Sequence, residues 1–364
     1  MNADRNPHID GMRGLSVLLV IIGHLVGNRL LAANVDMPVL ASGMLPEIAA
    51  IQAYGTVALR TLASTLSTLG VNIFFIISGF LITTLLLAEH GQTGRVNLSA
   101  FYIRRIFRII PAFGAYVLCV YLATAAGLIH VANREFLMAA SFQCNVPWAD
   151  CTWWLGHTWS LAVEEQFYLV WPFLFVVTPA PFRTAVAATL LLATSLGALV
   201  VPALKSFTPI CAGILLASSP LLSAWMQQRC QRAWIANAAL ALIVLASYVG
   251  RSPVLKLVLD LAVPVCLAVV FISLLSGRGL FAPLVQHDAF RRLGLVSYSL
   301  YLWQQMFTGR IDYYADAPAL SHAVLMIPAA LLAWAVVERP SLRLGRQLSA
   351  AVQHVGPRRV AGAH

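Results

Sequence analysis

Long apolar runs separated by short polar segments fill almost the whole chain. A bilayer core of about 30 Å is crossed by about 20 helical residues, and most of these runs reach that length. The sequence therefore predicts an all-α, polytopic integral membrane protein with about ten transmembrane helices. The candidate spans are residues 14–32, 69–88, 109–129, 159–178, 184–204, 207–225, 233–250, 254–276, 319–338 and the shorter run 293–309.

Composition excludes several other classes of protein. Only 10% of the residues are charged and 60% are hydrophobic, whereas an ordinary soluble domain has about 25% charged residues. A soluble nucleic-acid binder, a disordered chain and a disulfide scaffold are excluded, because only hydrocarbon solvates such long apolar runs. The lipid bilayer is thus an expected partner and nucleic acid is not.

The net charge of +10 is interpreted first as a signal of membrane topology. With the N-terminus in the cytoplasm, 17 of the 24 Lys and Arg residues fall in cytoplasmic segments and 7 fall outside, which follows the positive-inside rule. We therefore expect a multi-pass protein of the cell's inner (cytoplasmic) membrane with both termini cytoplasmic. A transmembrane domain over residues 1–340 would be followed by a short basic tail, 341–364, lying on anionic lipid.

Two segments leave alternatives open. Residues 33–68 are only moderately apolar and contain Pro38, Pro46 and Arg60, so we predict a long loop with an interfacial helix, and an extra hairpin is the rival interpretation. The first apolar run, behind Arg5 and Arg13, also has the features of a cleavable signal peptide.

The six cysteines include one candidate pair. Cys144 and Cys151 both fall in the 130–157 loop, which the charge rule places outside, where disulfides persist. We predict a bridge between them, with two free thiols as the alternative. The other four cysteines lie in or near spans as small apolar filler. No spacing of His, Cys, Asp or Glu is typical of a metal site, so no metal is expected.

The first predicted helix carries Arg13 and, eleven residues later, His24. Eleven steps of 100° return to within about 20° of the same helix face and advance about 16.5 Å. That face would present a cation near the inner surface and an imidazole near mid-membrane. Polar residues in spans are functional candidates, although a lone His is often a packing residue and an Arg at a helix end is often a topology charge.

A cluster of arginines marks the start of the third predicted helix. Arg104, Arg105 and Arg108 follow Asn97 and Ser99, both of which are suitable N-cap residues. Spacings of three and four residues bring the guanidinium groups to neighbouring faces, where they could bind a pyrophosphate bidentately. The alternative is that all three only obey the positive-inside rule.

Tryptophan is concentrated in the loop before the fourth predicted helix. Trp148, Trp153, Trp154 and Trp159 lie within twelve positions, with His157 among them. Such residues usually anchor a helix in the headgroup region, but flat aromatic faces are also what sugar rings stack on. His157 is a second, weaker candidate for proton transfer.

Several motifs occur in a fixed order along the chain. They are DGMRG at residues 10–14, then His24, FFIISGF at 74–80, RIFR at 105–108 and WSLAVEEQFY at 159–168. Together with SYSLYLW at 297–303 and ERP at 338–340, this series resembles acyltransferase family 3. These are integral membrane enzymes typified by O-antigen and nodulation-factor acetyltransferases, with Arg, ten residues and His in the first helix as their hallmark.

The resemblance implies transfer of an acyl group, most often acetyl from cytosolic acetyl-CoA, to a hydroxyl of a cell-surface, exported or lipid-linked carbohydrate. It implies that His24 is the base or carries the acyl group, that Arg13 assists the CoA end, and that Glu164 orients His24 or holds the acceptor hydroxyl. Glu165 would only cap its helix. Much of the family has an additional soluble C-terminal domain, which we expect to be absent here.

The resemblance also suggests binding residues. Arg104, Arg105, Arg108 and Ser78 would bind the acyl-CoA donor, and Ser78-Gly79 also suits close helix packing. The acceptor, a carbohydrate or glycolipid, would contact Trp153, Trp154, His157 and Trp159. Two other functions remain open: an acyltransferase acting on a small molecule or lipid headgroup, and a secondary transporter, for which inverted repeats would be expected and are not evident.

Overall fold

The computed structural model describes residues 6–30, 46–248, 253–314 and 321–354, and all the regular secondary structure in these ranges is helical. The α-helices are α1 (Pro7–Leu25), α2 (Pro46–Thr93), α3 (Leu98–Ala125), α4 (Asn133–Ala140), α5 (Trp153–Gly156), α6 (Thr158–Val177), α7 (Arg183–Gly197), α8 (Thr208–Ser218), α9 (Pro220–Arg229), α10 (Ala233–Ala246), α11 (Pro253–Leu275), α12 (Ala282–Gln286), α13 (Asp288–Phe307), α14 (Met326–Ala333) and α15 (Arg339–His354). One-turn π-helices follow α1 (Val26–Leu30) and α14 (Trp334–Glu338).

Seven helices in the described part of the chain are long and apolar enough to cross a membrane, which supports the predicted all-helical membrane protein. A bent pair, α8 and α9, makes an eighth candidate, with an angle of 100° at its break. Each predicted span has a helix at its position, but α10 has only 14 residues and α13 begins with Asp288, Arg291 and Arg292. The count of ten spans and the side of each terminus stay predictions.

Helix α2 differs from the sequence prediction. The predicted long loop with an interfacial helix over residues 33–68 is corrected from Pro46 onward. Residues 46–68 are helical, but they continue into the second span as one helix of 48 residues, Pro46–Thr93, without the extra hairpin that was the rival interpretation. At 1.5 Å per residue this helix is about 72 Å long, more than twice the thickness of a bilayer core. Residues 31–45, which include Pro38, lie outside the described residues. Helix α2 contains no proline after Pro46, so no proline breaks it.

Helices α1 and α13 pack with their backbones in contact. A Cβ atom at Gly14 would lie 2.0 Å from the carbonyl oxygen of Phe290, and one at Gly294 would lie 1.9 Å from that of Asp10. Further along, His24 bonds to Gln304 and Asn28 bonds to Thr308. The offset between partners is 280 residues in both hydrogen bonds. Because the offset does not change, the two helices run parallel.

The segment 341–354, predicted as part of a basic tail, is helical and belongs to α15. Gly345 faces α3, where a Cβ atom would lie 2.5 Å from the Cβ of Phe107. Arg343, Leu344 and Leu348 are exposed. This mixed surface suits a helix at a membrane interface, and the rest of the tail, 355–364, lies outside the described residues.

Candidate functional site

Two adjoining cavities lie between α1, α2, α6 and α13. The arginine cavity, about 70 Å³, is lined by Arg13, Ser78, Arg108, Glu164, Tyr168 and Tyr298 among others. The histidine cavity, about 720 Å³, is lined by His24, Arg60, Trp153, His157, Trp159 and Gln305 among others. Val71 and Tyr301 line both cavities. The α1 face predicted to carry Arg13 and His24 therefore places Arg13 at one cavity and His24 at the other.

Charged side chains surround the arginine cavity. The carboxylate of Glu164 interacts electrostatically with Arg13, Arg105 and Arg108, and Glu338 interacts with Arg13 and Arg108. The opposite charges of this cluster offset one another, which lowers the cost of holding them within the helix bundle. Among these groups, Arg13, Arg108 and Glu164 line the cavity itself, so two cations and one anion face its interior.

Hydrogen bonds hold the carboxylates of this cluster in place. Ser78 donates to Glu164 Oε1 at 2.5 Å, and the hydroxyl of Tyr168 donates to Ser78 at 3.2 Å. On α13, Ser299 donates to Glu338 Oε2 at 2.6 Å. The predicted residues Ser78 and Glu164 are thus direct neighbours, although they are 86 residues apart in the chain.

The three arginines predicted to bind the donor are placed differently. Arg108 lines the cavity, and the guanidinium of Arg105 stacks on Tyr168 with 5.1 Å to the ring centroid. Arg104 pairs with Glu89 at 3.6 Å, with 34% of its side chain exposed, and does not line the cavity. Their helix begins as predicted, because Asn97 accepts the N-cap hydrogen bond from the Ala100 amide.

His24 lies in the wall of the histidine cavity. Its Nδ1 is 2.9 Å from Oε1 of Gln304, and its ring meets the ring of Trp153 edge-on with centroids 5.4 Å apart. Of the two roles expected for Glu164, the structure does not support orienting His24, because Gln304 makes that contact and Glu164 lines the other cavity. Glu164 lies seven residues into α6, about 10 Å along the helix from His157.

His157 is buried between Tyr116 and Tyr301, with ring centroids 5.2 Å and 5.6 Å away. The hydroxyl of Tyr301 lies 2.5 Å from that of Ser160 and donates to the His157 carbonyl oxygen at 3.2 Å. Tyr301 is thereby held fixed at the junction of the two cavities.

The four loop tryptophans separate into two groups. Trp153 and Trp159 line the histidine cavity. Trp154 does not, because its buried ring packs against Tyr314 with centroids 5.6 Å apart, so the prediction that it contacts an acceptor is not supported. Trp148 is exposed outside this cavity.

The predicted disulfide between Cys144 and Cys151 is confirmed, with Cα atoms 5.8 Å apart. Both cysteines line the histidine cavity. Glu135 ties down the same loop, since its Oε2 accepts from the amide of Thr152 at 2.7 Å and from its hydroxyl at 2.6 Å. One wall of the cavity is therefore covalently and electrostatically fixed.

Sequence reasoning missed Gln304 and Gln305, which are both buried in α13. Two consecutive amides in a predicted membrane span were the available signal, since buried polar groups need partners. Tyr301 lies in the SYSLYLW motif at residues 297–303, but its position between two cavities has no local sequence signature.

Comparison with known proteins gives consistent matches. A family described as an acyltransferase domain matches residues 6–339. A provisionally named O-acetyltransferase, SACOL0978 of Staphylococcus aureus strain COL, is 33% identical over 184 residues, which cover 47% of this chain and 24% of that protein. The O-acetyltransferase OatA of S. aureus strain NCTC 8325 is 37% identical over 124 residues, or 29% of this chain and 19% of OatA.

The match to these curated relatives therefore spans about a quarter of their length or less. No solved structure matches the chain significantly.

Proposed function

We propose that this chain, which belongs to the acyltransferase family matched over residues 6–339, is an O-acetyltransferase that moves an acetyl group from acetyl-CoA to a carbohydrate hydroxyl. The observation that carries this proposal is the junction of two chemically different cavities at Val71 and Tyr301. One cavity has guanidinium groups suited to a phosphorylated donor, and the other has a histidine suited to acyl transfer. The names of the relatives support acetyl as the group transferred.

The donor would bind on the arginine side. CoA carries several phosphates, and guanidinium groups bind phosphate oxygens through paired, charge-assisted hydrogen bonds. Arg13 and Arg108 face the cavity, while Arg105 lies against Tyr168 in its wall. Ser78 and Glu164, which line the same cavity and are hydrogen-bonded to each other, would hold the thioester end. The pantetheine arm would then extend past Tyr301 toward His24.

The reaction needs one proton to leave the acceptor hydroxyl. In one route His24 takes that proton, the hydroxyl oxygen attacks the thioester carbonyl carbon, the carbon–sulfur bond breaks, and the CoA thiolate leaves and is protonated. In the other, a His24 nitrogen attacks the thioester carbonyl carbon and the carbon–sulfur bond breaks with release of the CoA thiolate. The acceptor oxygen then attacks the acetyl-imidazole, the carbon–nitrogen bond breaks, and the hydroxyl proton is taken up by the departing imidazole or the thiolate. Imidazole is suited to both roles near neutral pH. His157 remains the second candidate for proton transfer.

The acceptor would bind in the histidine cavity. Its volume of about 720 Å³ is typical of a small-molecule site, and Trp153 and Trp159 offer aromatic faces for a sugar ring. We infer a cell-surface, exported or lipid-linked carbohydrate, because the rigid disulfide-bonded loop suits the oxidising side of a membrane.

The parallel packing of α1 and α13 supports a ten-span topology. Parallel helices enter the membrane from the same side, so the number of crossings between α1 and α13 must be odd. Counting α2, α3, α6, α7, the α8–α9 pair, α10 and α11 as one crossing each gives seven. Adding α1, α13 and the last helical segment, α14–α15, gives ten. With the asymmetry of basic residues, we propose cytoplasmic termini and an inner-membrane location.

The test is His24→Ala, with His8→Ala as the matched control. His8 is in the same helix but binds the carbonyl oxygen of Leu275 and lines neither cavity. His24→Ala should lose about 10²–10⁴-fold in transfer rate while keeping expression and donor binding, whereas His8→Ala should stay near wild type. Mass spectrometry of surface polysaccharide and lipid from cells with and without the protein should show a missing acetyl increment. Near wild-type transfer by purified His24→Ala would refute the mechanism.

A further inference from the structure

A chain of buried hydrogen bonds leads from the Trp153 backbone to the ring of His24. It begins at the carbonyl oxygen of Trp153, which can only accept a hydrogen bond. Nε2 of Gln305 lies 2.6 Å from this oxygen and donates to it. The side chain of Trp153 also bonds to Gln305, since the indole Nε1 donates to the backbone carbonyl oxygen of Gln305 at 2.9 Å. The amide of Gln305 is therefore fixed, with Oε1 turned away from Trp153.

The orientation of Gln305 determines that of Gln304. Oε1 of Gln305 is an acceptor, so the group facing it must be a donor, and Nε2 of Gln304 lies 2.9 Å away. The remaining atom of the Gln304 amide, Oε1, faces Nδ1 of His24 at 2.9 Å. Turning this amide over would place oxygen against oxygen at Gln305. Amide orientation is normally assigned from such a network, and a backbone carbonyl anchors this one.

From this chain we infer that Gln304 is a positioning residue that holds His24 as the tautomer with the proton on Nδ1. The carbonyl oxygen of a glutamine side chain can only accept, so Nδ1 must be the donor. In the neutral imidazole Nε2 of His24 is then unprotonated, and none of the hydrogen bonds found among the described residues uses it. His24 lines the histidine cavity, so Nε2 is the nitrogen available for chemistry.

Burial strengthens the restraint that Gln304 places on the His24 tautomer. Gln304 has no exposed surface and Gln305 is 3% exposed, so water does not compete for their donors and acceptors. Thr308 adds to the restraint, because its hydroxyl lies 2.9 Å from both the backbone oxygen and Oε1 of Gln304. The inference deepens the proposed function and rests on it for the claim that Nε2 is the reacting atom.

The first experiment compares Gln304→Met with Gln304→Glu. Methionine matches glutamine in length and adds no charge, but it cannot accept from Nδ1. Glutamate keeps an oxygen facing His24, and in its protonated form it also keeps a donor toward Gln305. We expect Gln304→Met to lower kcat about 10- to 100-fold with little change in the KM for acetyl-CoA, and Gln304→Glu to retain most of the activity.

The order of these two variants is the discriminating result. If Gln304 only fills space, methionine is the milder change and the buried carboxyl of Gln304→Glu is the more harmful one. A kcat of Gln304→Glu that is equal to or lower than that of Gln304→Met would therefore overturn the inference. Gln166→Met is the control, because Gln166 bonds to Phe142 and Asn145 and lines neither cavity. It should leave kcat within about threefold of wild type.

The second experiment measures the tautomer itself. Nitrogen-15 spectra of protein labelled at histidine, with the His24 signals assigned by their loss in His24→Ala, should show a protonated Nδ1 and an unprotonated Nε2. A neutral ring with the proton on Nε2 and none on Nδ1 would overturn the inference, and this measurement on the wild-type protein does not depend on whether any variant folds. If His24→Ala still transfers acetyl while the tautomer is as expected, the proposed function fails and the positioning of His24 stands.

Discussion

Arg108→Gln should raise the KM for acetyl-CoA while leaving kcat nearly unchanged. Arg108 faces the arginine cavity together with Arg13, and the eleven-residue step from Arg13 to His24 is about 16.5 Å along α1. Arg108 would touch the phosphates of the donor and not the reacting atoms. A variant that loses only ground-state binding changes KM and not kcat.

The magnitude follows from the bonds that are lost. A hydrogen bond to a charged group contributes about 1.5–3 kcal/mol, and about 1.36 kcal/mol corresponds to a factor of ten. The KM should therefore rise about 10- to 150-fold if glutamine makes no equivalent bond. Arg13 also faces the cavity and would keep part of the donor affinity, so the lower part of this range is expected.

The assay follows release of the CoA thiol from membrane vesicles at varied acetyl-CoA concentration. Arg104→Gln is the matched control, since Arg104 is partly exposed, pairs with Glu89 and lies outside the cavity. Exposed ion pairs contribute about 0–1 kcal/mol, so this variant should change the KM by less than about fivefold. Equal effects of the two substitutions would show that these arginines serve topology alone and would refute the reasoning.

Two further predictions concern the fold. Reporter fusions after Ile129 and after Ala350 should report opposite sides of the membrane, with the second in the cytoplasm, and signals from the same side would contradict the ten-span topology. Gly14→Leu should lower the free energy of unfolding of the purified protein by about 1–3 kcal/mol or abolish folding. The new Cβ atom would lie 2.0 Å from the backbone carbonyl oxygen of Phe290. Gly114→Leu, which has open space around it, should be tolerated, and equal losses would contradict the close α1–α13 packing.

Local periodicity was sufficient to predict the arrangement within α1. The eleven-residue spacing of Arg13 and His24 depends only on helix geometry, and the two residues do line successive cavities. The presence of the helices could also be predicted, since an apolar run of this length can hardly adopt any other structure in a membrane. The start of α2 was harder to predict, because Arg60 and moderate hydropathy made its first part resemble a loop.

Contacts between distant segments could not be predicted in the same way. The partner of His24 is 280 residues away, and nothing in either segment alone indicates that α1 and α13 are neighbours. The positions of Trp154 and Arg104 outside the cavities could not be predicted for the same reason. Each belongs to a cluster of identical residues, and only the packing of other helices decides which members of the cluster reach a cavity.

The parallel contact of α1 with α13 also affects how the protein is made. His24 is synthesised 280 residues before its partner Gln304. Translation proceeds at about 5–20 residues per second, so His24 waits roughly 14–56 seconds for its partner. During that interval the histidine has no fixed tautomer and its cavity has no α13 wall. A nascent chain that stalls before α13 therefore lacks both the Gln304 contact to His24 and the side chains that α13 contributes to the two cavities.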